Sequence, residues 1–190
     1  MNTSIIKKIP VWYGIYYGIT SIAVFTIVYL VNFELFGKFI LWGAISLAIP
    51  LVFYIAGGIA ERKQNGGFLK YKQAFIALFI IGIVGYLINL TYTIVFTNVI
   101  DKQFNTRLEE VVTQSTANWL EKYKMDQEKI DMQMEKIHEQ FANANTTGAY
   151  IKQLLWAIVV SAIISAIIAL IIKRNPPENF METDISKEEN

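Results

Sequence analysis

Apolar positions in this chain do not alternate or recur in a stripe; they fill four long runs, at 11–33, 39–60, 73–100 and 149–172. At about 1.5 Å per helical residue, each run matches or exceeds a hydrocarbon core of about 30 Å. A backbone that crosses lipid must satisfy its own hydrogen bonds, so the runs predict four transmembrane helices. The first run follows Lys7 and Lys8, which admits a signal peptide as a rival reading. Signal cores span only about 7–15 residues and end at a small-residue cleavage site. This run is longer and has no such site, so it reads as an uncleaved span. Pro10 sits where a first helical turn tolerates proline. Pro50, inside the second run, removes a backbone donor and predicts a kink near 48–51.

The polar stretches divide the chain into a short N-terminus (1–10), a tight connector NFELFGK with Gly37 as its turn residue, a basic loop (61–72), a water-compatible segment (101–148) and a polar, acidic tail (173–190). The tail reads as disordered. Lys7 and Lys8, the group Arg62, Lys63, Lys70 and Lys72, and the pair Lys173 and Arg174 fall on one side if every run crosses. The opposite connector carries only Lys38, balanced by Glu34. The positive-inside rule then puts both termini in the cytoplasm and residues 101–148 outside it.

Within 101–148, apolar residues return at steps near three and four, the amphipathic helical period. Phe104, Leu108, Trp119 and Tyr123 mark one such row, and Ile130, Met134, Ile137 and Phe141 a second. One long helix is conceivable, because neither proline nor glycine interrupts 101–147. Two helices, about 102–124 and 127–143, fit better. Asp101 is placed to cap the first, and Asp126 can accept from the free amides of the second. Met125 and Ile130 have the spacing of a hydrophobic staple across that cap. The expected fold class is therefore all-α: an integral membrane four-helix bundle with an extracytoplasmic amphipathic hairpin between spans three and four. The two rows are the candidate partner-binding stripe.

Inside the spans, Gly82, Tyr86, Asn89 and Thr93 lie on one face of the third helix, which is expected to look into the bundle. Tyr86, Asn89 and Thr93 form the candidate polar face; its simpler reading is interhelical hydrogen bonding rather than a pore lining. Ser161, Ser165 and Ala169 repeat small residues every fourth position, a spacing used for close approach of membrane helices. Gly14 and Gly18 make a weaker pair of the same kind, for which chance is an equal explanation, and Gly82 completes the candidate packing set. Trp12, Tyr13, Trp42, Tyr71, Tyr150 and Trp156 lie near run ends and read as interfacial anchors.

Composition narrows the chemistry. Hydrophobic residues make up 54% of the chain and charged ones 17%, too apolar for an ordinary soluble domain. The net charge of +1 gives no reason to expect nucleic acid as a partner. Without cysteine, and with His138 alone, neither thiolate nor histidine metal sites can form within one subunit. Glu109 and Glu110 are adjacent and do not converge on one ion; Glu135 and Glu139, interleaved with lysine, read as a solvated face. No phosphate loop, nucleophile elbow or zinc-protease motif is present. The expectation is a protein with no catalytic residue, metal or cofactor.

The basic turn into the third span, ERKQNGGFLKYKQAFIALFIIGI, the helix-turn-helix signal YKMDQEKIDMQMEKI and the terminal LWAIVVSAIISAIIALIIKR resemble a bacterial membrane family, the domain of unknown function numbered 4199. The likeness runs from Pro10 to Arg174. It implies this architecture and a bacterial inner membrane, with no catalytic residues to carry over. The expected partners are the lipid bilayer and a second copy or another membrane or extracytoplasmic protein, met through the hairpin. The alternative is a small oligomeric channel or transporter lined around Asn89.

Overall fold

The structure, a computed structural model, describes residues 8–176. Lys7 and the tail from 177 onward lie outside the described residues. Six α-helices follow one another: α1 (Lys8–Val31), α2 (Phe39–Gln64), α3 (Tyr71–Val95), α4 (Phe104–Lys122), α5 (Gln127–Ala142) and α6 (Thr147–Ile172). A 3-10 turn (Phe33–Gly37) joins α1 to α2, and a π-helical turn (Phe96–Ile100) extends α3. The all-helical reading holds among the described residues, where the only extended pairing is an isolated bridge between Leu69 and Arg174. α1, α2, α6 and the continuous α3 with its π turn are long and apolar enough to cross a membrane.

The bundle is organised around α3, which packs against α1, α2 and α6. Its buried positions, Ala74, Ala77, Leu78, Ile81, Gly82 and Gly85, recur at three and four, and most are small. Small residues let helices approach where lipid offers no hydrophobic gain from association. Gly14 and Gly18 are buried against this helix: a Cβ would stand 2.7 Å from Val84 Cβ at Gly14 and 2.8 Å from Ile88 Cβ at Gly18. Ser161, Ser165 and Ala169 are buried on α6. Gly82 faces Tyr54 of α2 and Ser161 of α6, which share a buried 2.9 Å hydrogen bond.

Several element ends differ from the sequence expectation. α2 runs through Pro50 and continues past residue 60 to Gln64, which takes Glu61 out of the loop and buries it at 3% exposure. Arg62 there donates to the carbonyl of Ile172, tying α2 to the end of α6. The turn at 65–67 has left-handed Gly66 and Gly67, and two backbone bonds pair Leu69 with Arg174, at 2.8 and 2.9 Å. α4 starts at Phe104 rather than Lys102, with Gln103 at its cap position and no side-chain cap. Asp126 holds the N-cap position of α5 without a side-chain cap bond; its carboxylate lies 3.3 Å from Lys129. Gly37 does not have a positive φ. It is glycine because α4 rests on it: a Cβ there would stand 2.5 Å from Ser115 Oγ and 2.6 Å from Val111 Cγ1.

The bundle therefore has two distinct ends. One carries the 65–70 turn, the start of α1 and the end of α6; the other carries the 3-10 connector and the α4–α5 hairpin, in direct contact with each other.

Candidate functional site

At the hairpin end, aromatic rings fix α4 to the membrane helices. Phe104 is 5% exposed and stands among Phe25, Tyr29, Phe33, Phe36 and Phe96, with ring centroids 5.4–6.2 Å away. Three of these contacts are edge-on, an arrangement favoured by the ring quadrupole and worth about 0.5–1.5 kcal/mol per pair beyond burial, and two are tilted. Leu108, one turn on, packs on the same cluster. The π turn contributes by burying Phe96 and Thr97, and it closes with the Asp101 amide donating to the Phe96 carbonyl at 2.8 Å.

Asp101 anchors a polar clasp beside the rings. Its carboxylate accepts from Tyr29 Oη at 3.0 Å and from the Gln103 amide at 3.1 Å, and it pairs with Arg107. The Arg107 guanidinium lies 4.9 Å from the Phe33 ring centroid and 5.5 Å from that of Tyr29. Loss of solvent pulls the Asp101 pKa upward, but the hydrogen bonds from Tyr29, Arg107 and Gln103 and the Arg107 charge outweigh it. The net effect holds the carboxyl below the usual aspartate range. Residue 101 is thus a tether between α1 and α4, a role its sequence position as a helix cap did not reveal.

The candidate stripe divides three ways. Phe104 and Leu108 are used internally. Ile130 is buried and Met134, Ile137 and Phe141 are half-buried, on the helix that packs against α4. His138 pairs with Glu109 across the two helices, and Asn105 bonds Asn145 at 2.8 Å. Trp119 and Tyr123 alone remain open, 49% and 62% exposed, with ring centroids 4.7 Å apart.

Beneath the far half of the hairpin runs an open groove of about 1180 Å³. Phe39, Ile40 and Leu41 of α2 form one wall; Trp119, Leu120, Met125 and Met132 form the other. The charged lining groups are Lys38 and Lys129. A second, smaller cleft of about 450 Å³ opens between α2 and α6 at mid-span, with polar groups from Tyr17, Ser46, Tyr54, Tyr86, Gln153 and Ser161 on its walls.

The candidate polar face of α3 is split by this cleft. Tyr86 and Gly82 line it, whereas Asn89 and Thr93 do not. Asn89 donates to the Gly85 carbonyl of its own helix at 2.8 Å, and the Thr93 carbonyl accepts from Thr97 Oγ1 at 2.9 Å. Sequence reasoning missed Tyr17, Tyr54 and Gln153, which come from three different helices with no shared spacing. It also missed the Tyr29–Asp101–Arg107 clasp. Its available signal was an aspartate at the end of an apolar run followed by an arginine six residues later.

No curated protein and no solved structure matches this chain. A family model described as protein of unknown function (DUF4199) matches residues 12–174, from the second turn of α1 to just past the end of α6. That span takes in all four apolar helices and the hairpin, and the chain belongs to this family of proteins of unknown function.

Proposed function

We propose that this chain is a non-enzymatic interaction or assembly protein of a bacterial plasma membrane, acting through its α4–α5 hairpin outside the cytoplasm. Sidedness is supported by charge: Lys8, Arg62, Lys63, Lys70, Lys72, Lys173 and Arg174 gather at the end opposite the hairpin, as the positive-inside rule requires of a cytoplasmic face. The observation that carries the interaction reading is the Trp119–Tyr123 pair. These two large rings stay exposed, in tilted contact with each other, on a hairpin whose other stripe residues are buried or half-buried. Tryptophan and tyrosine dominate binding hot spots because they offer large apolar area at small entropic cost. The partner is a second copy or another membrane or extracytoplasmic protein.

A photo-crosslinker placed at Tyr123 in native membranes tests this. A discrete adduct that disappears in Trp119→Ala is expected; a crosslinking pattern indifferent to that substitution overturns the reading. Removing residues 102–145 is a poorer test, because Phe104 and Arg107 belong to the bundle's own packing. A reporter at the C-terminus that reads as external overturns the orientation.

The alternative reading, a small channel or carrier, draws on the mid-span cleft and its hydroxyl groups. Its polar lining residue on α3 is Tyr86 rather than Asn89. Flux in proteoliposomes that falls in Tyr86→Phe but not in Asn89→Leu supports it, and flux equal to that of empty vesicles removes it.

A further inference from the structure

We propose that the groove between the hairpin and the start of α2 holds an acyl chain of an anionic membrane lipid, with the lipid headgroup beside Lys38 and Lys129. The proposal goes beyond partner capture and rests only on α2 crossing the bilayer.

Phe39, Ile40 and Leu41 are 46%, 85% and 51% exposed and open the apolar surface of α2, which continues down the helix at Leu47, Val52 and Ile55. That surface faces hydrocarbon in any arrangement where α2 spans. The hairpin overhangs its first turns, so a lipid chain lying along α2 runs into the groove without crossing a polar barrier. The roof matches such a guest. Trp119, Leu120, Met125 and Met132 line it, and methionine side chains adapt to irregular apolar shapes. With about 1180 Å³ of space, the groove exceeds the usual range of about 300–1,000 Å³ for compact small-molecule pockets. An open, largely apolar groove of that size, with Ser115, Thr116, Asn118 and Gln133 as its uncharged polar lining, fits a flexible chain better than a rigid polar ligand.

Charge complementarity selects the headgroup. Two lysines line the groove and no carboxylate does. Lys38 is exposed at the first turn of α2 and makes no ion pair among the described residues. Lys129 faces Asp126 at 3.3 Å, with side chains 62% and 78% exposed, a pairing that solvent weakens and a phosphate can replace. Lysine stems bury along apolar surface while the ammonium groups reach headgroup level, which is where the junction of α2 and the hairpin lies. Both cations thus sit where an acyl chain in the groove would place its phosphate.

The test uses tryptophan quenching by brominated acyl chains. The full chain carrying Trp12→Phe, Trp42→Phe and Trp156→Phe keeps Trp119 as its single tryptophan. A second variant keeps only Trp156, which is 69% exposed on α6 at the edge of the mid-span cleft and reports bilayer contact away from the hairpin groove. Each is reconstituted in phosphatidylcholine vesicles containing a rising fraction of dibrominated phosphatidylglycerol or of dibrominated phosphatidylcholine. Trp119 is expected to reach half-maximal quenching at about a thirtyfold lower fraction of the anionic lipid, the scale set by two lysines near a lipid surface. Lys38→Gln with Lys129→Gln abolishes that preference, and Trp156 is quenched equally by both lipids throughout. Equal quenching of Trp119 by the two lipids, or a preference that survives the lysine substitutions, overturns the proposal. Quenching of Trp156 but not of Trp119 overturns it while leaving the spanning helices intact; absence of quenching at both positions overturns the spanning of the bundle as well.

Discussion

Gly82→Ala is the most informative single perturbation of the bundle. A methyl group at this position stands 1.9 Å from Tyr54 Oη and 2.2 Å from Ser161 Oγ, so both side chains must move. Both are buried, Tyr54 at 3% and Ser161 at 7% exposure, and joined at 2.9 Å, so a shift into the adjoining cleft breaks their hydrogen bond. Overpacking of a tight interior costs about 1–3 kcal/mol. Loss of one interhelical hydrogen bond in a membrane adds about 0.6 kcal/mol on average and at most about 1.7. The expected destabilisation is about 2–4 kcal/mol, measured by SDS titration in mixed micelles with tryptophan fluorescence as the signal. Because the cost comes from these two oxygens, it should shrink by about 1–2 kcal/mol when Gly82→Ala is introduced into a Tyr54→Phe, Ser161→Ala background. Tyr54 Cζ, at 2.9 Å, retains part of the clash. A Gly82→Ala variant within 0.5 kcal/mol of the parent (about twofold in the folding equilibrium), or strictly additive costs, refutes the convergence of α2, α3 and α6 on this glycine.

Other consequences follow from the hairpin end. The Asp101 carboxyl has a lowered pKa in the folded chain, so its stabilising effect is fully present above the unfolded aspartate value of about 3.9 and is lost as pH falls through the folded value. Asp101→Asn should therefore remove the acid-labile part of the clasp: protease nicking of the α4–α5 hairpin, which rises in the parent below about pH 4, should rise less steeply there, the remainder coming from pairs such as Glu109–His138 and Asp126–Lys129. Gly37→Leu forces the connector away from Val111 and Ser115 and should raise amide exchange throughout α4 while leaving α6 unchanged. Equal exchange of α4 in Gly37→Leu and in the parent would show that α4 does not rest on the connector. Lys124, two residues past the end of α4, has φ 53°, a left-handed conformation that costs a non-glycine residue about 1–2 kcal/mol. After the added chain entropy of glycine, Lys124→Gly should stabilise the hairpin by about 0.5 kcal/mol, readable as fewer cleavages at 123–126.

Much of the architecture is legible along the chain because lipid imposes a coarse rule. Twenty or more apolar residues without an internal charge leave the backbone only a helical solution. The period of the hairpin rows is likewise a local property, and the break near Met125 follows from the residues around it. Element ends are less legible. Glu61 reads as the first residue of a polar loop, but Arg62 bonding to Ile172 on α6 and Asn65 bonding back to Glu61 extend α2 by a turn. Asp101 reads as a cap, and it is drawn instead toward Tyr29 and Arg107, partners that lie 72 positions back and six ahead.

The candidate site shows the same division more sharply. The order of runs, the basic clusters and the two amphipathic rows were available from sequence alone, because each depends on neighbours within a few residues. Which members of a row face outward was not. Phe104 and Trp119 look alike as large aromatics on one helix. The first is enclosed by rings from α1, the connector and the π turn, and the second is left open beside α2. The groove, the mid-span cleft and the glycine contacts arise where separate helices converge. Burial is a property of that convergence, and a one-dimensional pattern records only the tendency of each residue to seek it.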